Sequence, residues 1–296
     1  MTAQVKFADA ERGTIDDIVD LERYPIDRPG SPAQQAIVDQ CRAALADDGC
    51  CTLTGFLRPD ALASAAAEFS RLSPKADVRE EFCSVYVRAD SETSLGSDDP
   101  RGRILRRRVG HVTRDQIAPD SVMHRLYVSP AFKAFIAACV GETRIFEYAD
   151  PLAALIATVL PPGGTLPWHY DTNEFVVTIL TQEPEAGGLF QFHQNLRTPG
   201  DENLDGLARV LDDDAPETLR TRQLLAGDFQ LFLGRYSLHR VTTIEGQRER
   251  HVAVLSYANR PGVIGPIDRT RAVYGRVTEA HLVAHEISQG ADGLIL

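Results

Sequence analysis

The stretch from residue 143 to 260 constrains the fold more than any other part of the chain. Short β-rich runs follow one another there: Thr143 to Tyr148, Ala153 to Leu160, about 168–181, Gly187 to Phe192, Arg222 to Leu225, Phe229 to Leu233, His239 to Thr243 and His251 to Tyr257. Gly, Pro and Asp separate them, and strands this short and closely spaced form a sandwich or a barrel. One segment breaks the pattern. Between Asp201 and Asp214, Leu204, Leu207, Val210 and Leu211 recur at helical spacing. An insertion of that length between strands is more often functional than packing filler, so a helical lid is expected over about 197–218.

Residues 1–142 read as mainly helical. Ser31-Pro32 supplies an N-cap followed by proline in the first turn. Ala36, Ile37, Cys41, Ala44 and Leu45 then mark an amphipathic helix over 32–47, which Asp48-Gly49 ends. A second, Ala-rich helix is expected at about 59–72, and two more from Asp120 to Val128 and from Pro130 to Val140. Residues 1–30 are polar and read as an extended, loosely attached arm; Phe82 to Val87 is strand-like and Asp90 to Arg103 a loop. Residues 261–296 leave the sheet and close on one helix, about 277–288. The expectation is an α+β protein of one domain, 1–296, with N-terminal helices packed against an all-β core.

Net charge is −11, from 31 basic and 42 acidic residues, which argues against a nucleic-acid binder with its basic stripe. No stretch reaches 18 apolar residues, so no membrane span is expected, and the N-terminus has no apolar signal region. Five cysteines, an odd number with no C-x-x-C pair, read as reduced thiols in a cytoplasmic protein. A small-molecule substrate is the expected partner, with a homodimer left open.

Trp168-His169-Tyr170-Asp171 follows a turn signal, Pro161-Pro162-Gly163-Gly164. On a strand, His169 and Asp171 share a face about 7 Å apart, while Trp168 and Tyr170 point to the other face and pack. The pair lacks a third metal ligand. The best candidate is His239, at the start of a later strand. Two His and one carboxylate with open positions is the facial arrangement that holds non-haem Fe(II). Arg250 follows eleven residues after His239, and its guanidinium suits a carboxylate bidentately; Arg248 shares its strand face and is the fallback. Among the other histidines, His193 lies on a strand that could face a cavity. His281 and His285 share a helix face without an acidic partner between them. His111, His124 and His251 read as structural or exposed.

With these residues in place, His169-Tyr170-Asp171, His239 and Arg250, with Gly187-Gly188 and Gly227-Asp228 between them, the chain resembles the Fe(II)/2-oxoglutarate-dependent oxygenases over about 145–260. A narrower resemblance, carried by Trp168 to Asp171, Phe232 to Val241 and the excursion near Glu202-Asn203, is to the carrier-free amino-acid halogenases and the free-amino-acid hydroxylases related to them. The resemblance implies a double-stranded β-helix (a jelly-roll, cupin-like core). It implies Fe(II) on His169, Asp171 and His239, and 2-oxoglutarate anchored by Arg250. It also implies O₂ as co-substrate and hydroxylation of an unactivated C–H coupled to release of succinate and CO₂. Many members carry Ser two positions after the Arg; Val252 stands there in this chain. In the halogenases Gly or Ala replaces the carboxylate ligand and opens a position for chloride. Asp171 fills that position here, which favours hydroxylation.

A free amino acid is the expected substrate. Its wall is expected from Asp150, Asn173, Arg235 and the excursion, with Arg235 or an Arg of 101–108 for the carboxylate and Asp150 or Glu202 for the ammonium. The alternatives are desaturation or cyclisation with the same cofactors, or a cupin-like binding protein without turnover. A bare metal binder has no need of Arg250.

Overall fold

In the computed structural model, the described residues are 15–87, 95 and 98–290. The chain opens with α1 (Pro32–Asp48), β1 (Cys50–Leu53) and α2 (Pro59–Leu72). Ser31 caps α1 by accepting from Gln34 N–H, and Gly49 ends it in the left-handed conformation at φ +76°. The antiparallel pair β2 (Arg79–Cys83) and β3 (Leu105–Val112) follows, then α3 (Val122–Val128) and α4 (Pro130–Val140). Next come β4 (Phe146–Glu147), β5 (Leu155–Leu160), β6 (Leu166–His169), β7 (Val176–Gln182), β8 (Ala186–Gly187) and β9 (Phe190–His193). After α5 (Leu204–Leu211) the chain forms β10 (Leu219–Arg222), β11 (Phe229–Phe232), β12 (Leu238–Val241), β13 (Ile244–Glu245), β14 (Arg250–Leu255) and β15 (Tyr257–Ala258). It ends in α6 (Ile267–Tyr274) and α7 (Glu279–Gly290).

Eight of these strands build the double-stranded β-helix. One sheet runs β1-β11-β7-β14-β5-β3-β2, the other β10-β9-β12-β6, and β8 pairs with β13 apart from both. Alternation along each strand divides its side chains between two faces. On β5 and β14, Leu155, Ala157, Val159, Ala253 and Leu255 turn outward onto the helices, joining Phe69, Phe132 and Phe135 in the main core. Phe190, Phe192, Phe232 and Leu160 fill the space between the sheets.

Four expectations change. Ile18, Val19, Tyr24 and Ile26 are buried in the main core, so this part of the N-terminal arm is anchored rather than loose; residues 1–14 lie outside the described residues. The run expected as one strand over about 168–181 is two strands in different sheets, β6 and β7, and Asp171 sits in the loop between them. The arginine-rich stretch ends as strand β3, because Arg106, Arg107 and Arg108 pair across to β2. The helical excursion does not roof the barrel. Leu207 and Val210 of α5 pack with Trp168, Tyr170 and Leu238 on the outer face of the smaller sheet. Half of the expected 90–103 loop lies outside the described residues. No helix among the described residues is long and apolar enough to cross a membrane.

Candidate metal centre and substrate cavity

His169 ends β6 and His239 is the second residue of β12; the two are direct cross-strand partners. That register places their rings 4.1 Å apart between centroids. The edge of Phe232, 4.9 Å from the His239 ring, completes the packing. Each imidazole gives its Nδ1–H to a backbone carbonyl two residues back: His169 to Pro167 at 2.8 Å and His239 to Ser237 at 3.0 Å. Those bonds fix the tautomers and leave both Nε2 lone pairs facing inward, as metal-binding imidazoles require. Asp171 completes the group, with Oδ1 3.9 Å from His169 Nε2 and Oδ2 3.5 Å from His239 Nε2.

All three ligand atoms lie within 4.8 Å of one another, a set able to hold a metal ion. Burial, reinforced by His239, holds His169 down to about 3, so it is neutral at pH 7 and its approach to Asp171 is no ion pair. Burial pushes the Asp171 carboxyl up, but His239, His169 and the Arg269 guanidinium together outweigh it and the group stays ionised. Asp171 Oδ2 is nevertheless buried without a hydrogen-bond partner. An orphaned anionic oxygen beside two inward lone pairs costs free energy unless a cation sits between them.

The loop holding Asp171 depends on Gly234. Its carbonyl accepts the Asp171 N–H at 3.1 Å, and a β-carbon at 234 would lie 1.9 Å from Asp171 Oδ2. Only glycine lets the β11–β12 turn come this close. Gly234 falls inside the Phe232 to Val241 stretch that carries the narrower resemblance, but its spacing alone gave no sign of this role.

Arg250 opens β14. It is 4% exposed and has no hydrogen-bond or ion-pair partner among the described residues. Desolvation lowers it to about 10, so it remains a buried cation at neutral pH, short of an anion. Alternation puts Arg250, Val252 and Val254 on one face of β14; Val254, and Ser256 just past the strand, line the cavity described below. Arg248 instead donates to the Glu183 and Pro184 carbonyls at the surface, which removes the fallback.

A cavity of about 210 Å³ opens beside His169 and Asp171. Its wall comes from β3 (Arg107, His111), the β4–β5 segment (Tyr148, Thr158), Asn173 and α6 (Arg269, Tyr274). Of Asp150, Asn173, Arg235 and Glu202, expected from position, only Asn173 lines it. Its Oδ1 accepts from the Tyr148 hydroxyl. Asp150 is fully buried and already bonded to the N–H groups of Leu152, Ala153 and Gly265 and to His281 Nε2; it ties α7 to the loop before α6 and has no capacity left for an ammonium. Glu202 lies at the surface with Arg197 and the Tyr86 hydroxyl. Arg235 donates to the Thr172 carbonyl and does not line the cavity. His193 faces away from the site, against Trp168 and Thr218.

Of the basic run, Arg101, Arg103 and Arg106 pair with Asp99, Asp212 and Glu80. Arg107 reaches the cavity, held by Glu81 at 2.8 Å and His111 Nε2 at 2.9 Å. Because arginine can only donate, His111 accepts and is neutral. Burial, then the charge of Arg107, pushes it well below its ordinary pKa.

The sequence profile of the halogenase D family matches residues 33–271, spanning the helices, the barrel and α6. The chain belongs to the halogenase D family. No curated protein is a match in sequence. Among solved structures, this family member is similar to the epimerase SnoN in complex with Fe³⁺, α-ketoglutarate and nogalamycin RO, at 16% identity and a TM-score of 0.51, over 75% of this chain and 84% of SnoN. It is also similar to a prolyl hydroxylase from Trichoplax adhaerens, at 13% identity and a TM-score of 0.50, over 79% and 96% of the two chains. At these identities the likeness is one of fold.

Proposed function

We propose that this halogenase D family member is a non-haem Fe(II)/2-oxoglutarate-dependent hydroxylase of a small polar metabolite, a free amino acid. One observation carries the reading: Asp171 stands between two inward-facing imidazoles with its Oδ2 unpartnered. A carboxylate there takes the coordination position a halide needs. His169, Asp171 and His239 hold the metal, and Arg250 supplies the cation for the far carboxylate of 2-oxoglutarate. SnoN, of the same fold, has been seen with iron and α-ketoglutarate, which supports the pairing. Bound together, Fe(II), 2-oxoglutarate and O₂ would supply an oxidant able to replace an unactivated C–H by C–OH.

The chain's own part is binding and orientation. Arg107, fixed by Glu81 and His111, presents its remaining N–H groups to the substrate carboxylate. The Tyr148 hydroxyl gives its proton to Asn173, so its oxygen is left to accept from an ammonium. Apolar walls from Ile156, Leu166, Val176 and Val254 keep water from the reacting carbon.

Anaerobic titration with Fe(II) and 2-oxoglutarate should produce a metal-to-ligand charge-transfer band. Its absence under all conditions would refute the cofactor assignment. Succinate release screened across free amino acids then identifies the substrate, and product mass in the presence of chloride separates oxygen from chlorine insertion. Asp171→Gly should abolish hydroxylation; full retained activity would mean another carboxylate serves the metal.

A further inference from the structure

Arg269, on α6, lines the cavity with His169, Asp171 and Arg107. It has no hydrogen-bond or ion-pair partner among the described residues. Burial, the largest influence on it, lowers its pKa, and Asp171, Tyr274, Arg107 and Tyr148 are near enough to act on it electrostatically. The cavity therefore holds two guanidiniums on different walls. Arg107 is part-neutralised by Glu81; Arg269 makes no ion pair among the described residues. Among the described lining residues the only carboxylate is Asp171, which the metal claims. The two acids expected for an ammonium, Asp150 and Glu202, are engaged elsewhere. A substrate ending in a cationic side chain would meet two positive charges and, among the described lining residues, no free carboxylate. At about 210 Å³ the space is below that of drug-sized ligand pockets, which start near ~300 Å³.

We infer that Arg269 is the specificity-determining residue of this site and that the substrate is a dicarboxylic amino acid, with one carboxylate on Arg107 and the second on Arg269. The inference deepens the hydroxylase reading and rests on it for the reaction, but the charge complementarity does not require the metal.

The test is calorimetric titration of L-aspartate, L-glutamate, L-lysine and L-leucine into the protein at saturating 2-oxoglutarate, with and without Fe(II) under anaerobic conditions. A dicarboxylate should bind at least tenfold more tightly than lysine or leucine. Arg269→Gln should remove that preference, and Arg269→Lys should restore part of it, with the charge-transfer band and the melting temperature unchanged. Lysine binding as tightly as the dicarboxylates would overturn the inference. So would an unaltered preference in Arg269→Gln, dicarboxylate binding that 2-oxoglutarate competes away, or loss of the band in Arg269→Gln, which would make Arg269 a support of the metal site. The wild-type band scores the cofactor reading separately. A band without a dicarboxylate preference defeats this inference alone, and a preference without a band defeats the cofactor reading alone.

Discussion

Gly234→Ala is a one-methyl change predicted to disable the metal centre from outside the ligand set. The added carbon would stand 1.9 Å from Asp171 Oδ2, and side-chain carbons do not approach other atoms within 3.0 Å. Either the carboxylate or the turn must move by about 1.1 Å. Functional geometry tolerates roughly 0.5 Å, so Asp171 leaves its ligating position. Losing a group that orients a ligand typically costs ~10–100-fold in metal affinity, or about 1.4–2.7 kcal/mol. The assay is anaerobic Fe(II) titration of four proteins: wild type, Gly234→Ala, Asp171→Gly and the double variant. Once Asp171 is shortened to glycine, the methyl has room. The Gly234→Ala effect should then vanish, giving a coupling energy close to the whole single-variant loss. Far-UV circular dichroism checks that the barrel persists. Unchanged Fe(II) affinity in Gly234→Ala, or an equal loss in the Asp171→Gly background, would refute the argument that the turn acts through the carboxylate.

Asp150→Ala should cost about 3 kcal/mol or more in urea denaturation, because three backbone N–H groups and His281 lose their acceptor at once. Glu202→Ala should cost under about 1 kcal/mol, since its pair with Arg197 is at the surface. Arg250→Gln should weaken 2-oxoglutarate at least tenfold by charge-transfer titration, while Arg248→Gln, whose side chain serves only surface carbonyls, should leave it unchanged. Burial holds His193 down to about 4 from an ordinary 6.5. Between those values the unfolded chain binds the extra proton, so stability is lost as pH falls through that window. On moving from pH 7 to pH 4.5 the wild type should lose about 2 kcal/mol more than His193→Gln. Equal losses would show that His193 does not titrate this way.

Parts of the chain whose information is local were legible. The Ser31-Pro32 cap and Gly49 stop delimit α1, and Pro59 and Pro130 open helices where proline is tolerated. Strand count and spacing led to a barrel, and the H-x-D, distal His and Arg order led to the family. The strand argument for His169 and Asp171 reached the right neighbours by the wrong geometry. Asp171 is in a loop, and it comes to His169 because that loop packs on Gly234, not because strand residues alternate. Contacts of that kind join positions 63 residues apart and leave no periodic trace. Arg269 was illegible for a related reason. Pro266-Ile267-Asp268 is a fair helix start, yet the helix is only eight residues long, and nothing local says that it lines the cavity beside His169 and Asp171. Arg107 differs from Arg106 and Arg108 only through the strand parity that turns it inward.

Charge in this protein is divided by depth. The chain carries a net −11, while Arg250 between the sheets and Arg269 at the cavity wall have no hydrogen-bond or ion-pair partner among the described residues. Surface charge acts at long range, and at physiological salt it is screened beyond ~8 Å. The guanidiniums act at contact in a site that excludes water, where a bidentate bond to a carboxylate is strongest. Discrimination between metabolites therefore depends on the few groups on the cavity wall. On the reading above, Arg250 receives the co-substrate carboxylate and Arg269 receives the substrate at the cavity wall. Each anion would then be neutralised by its own arginine, which limits their mutual repulsion at the centre.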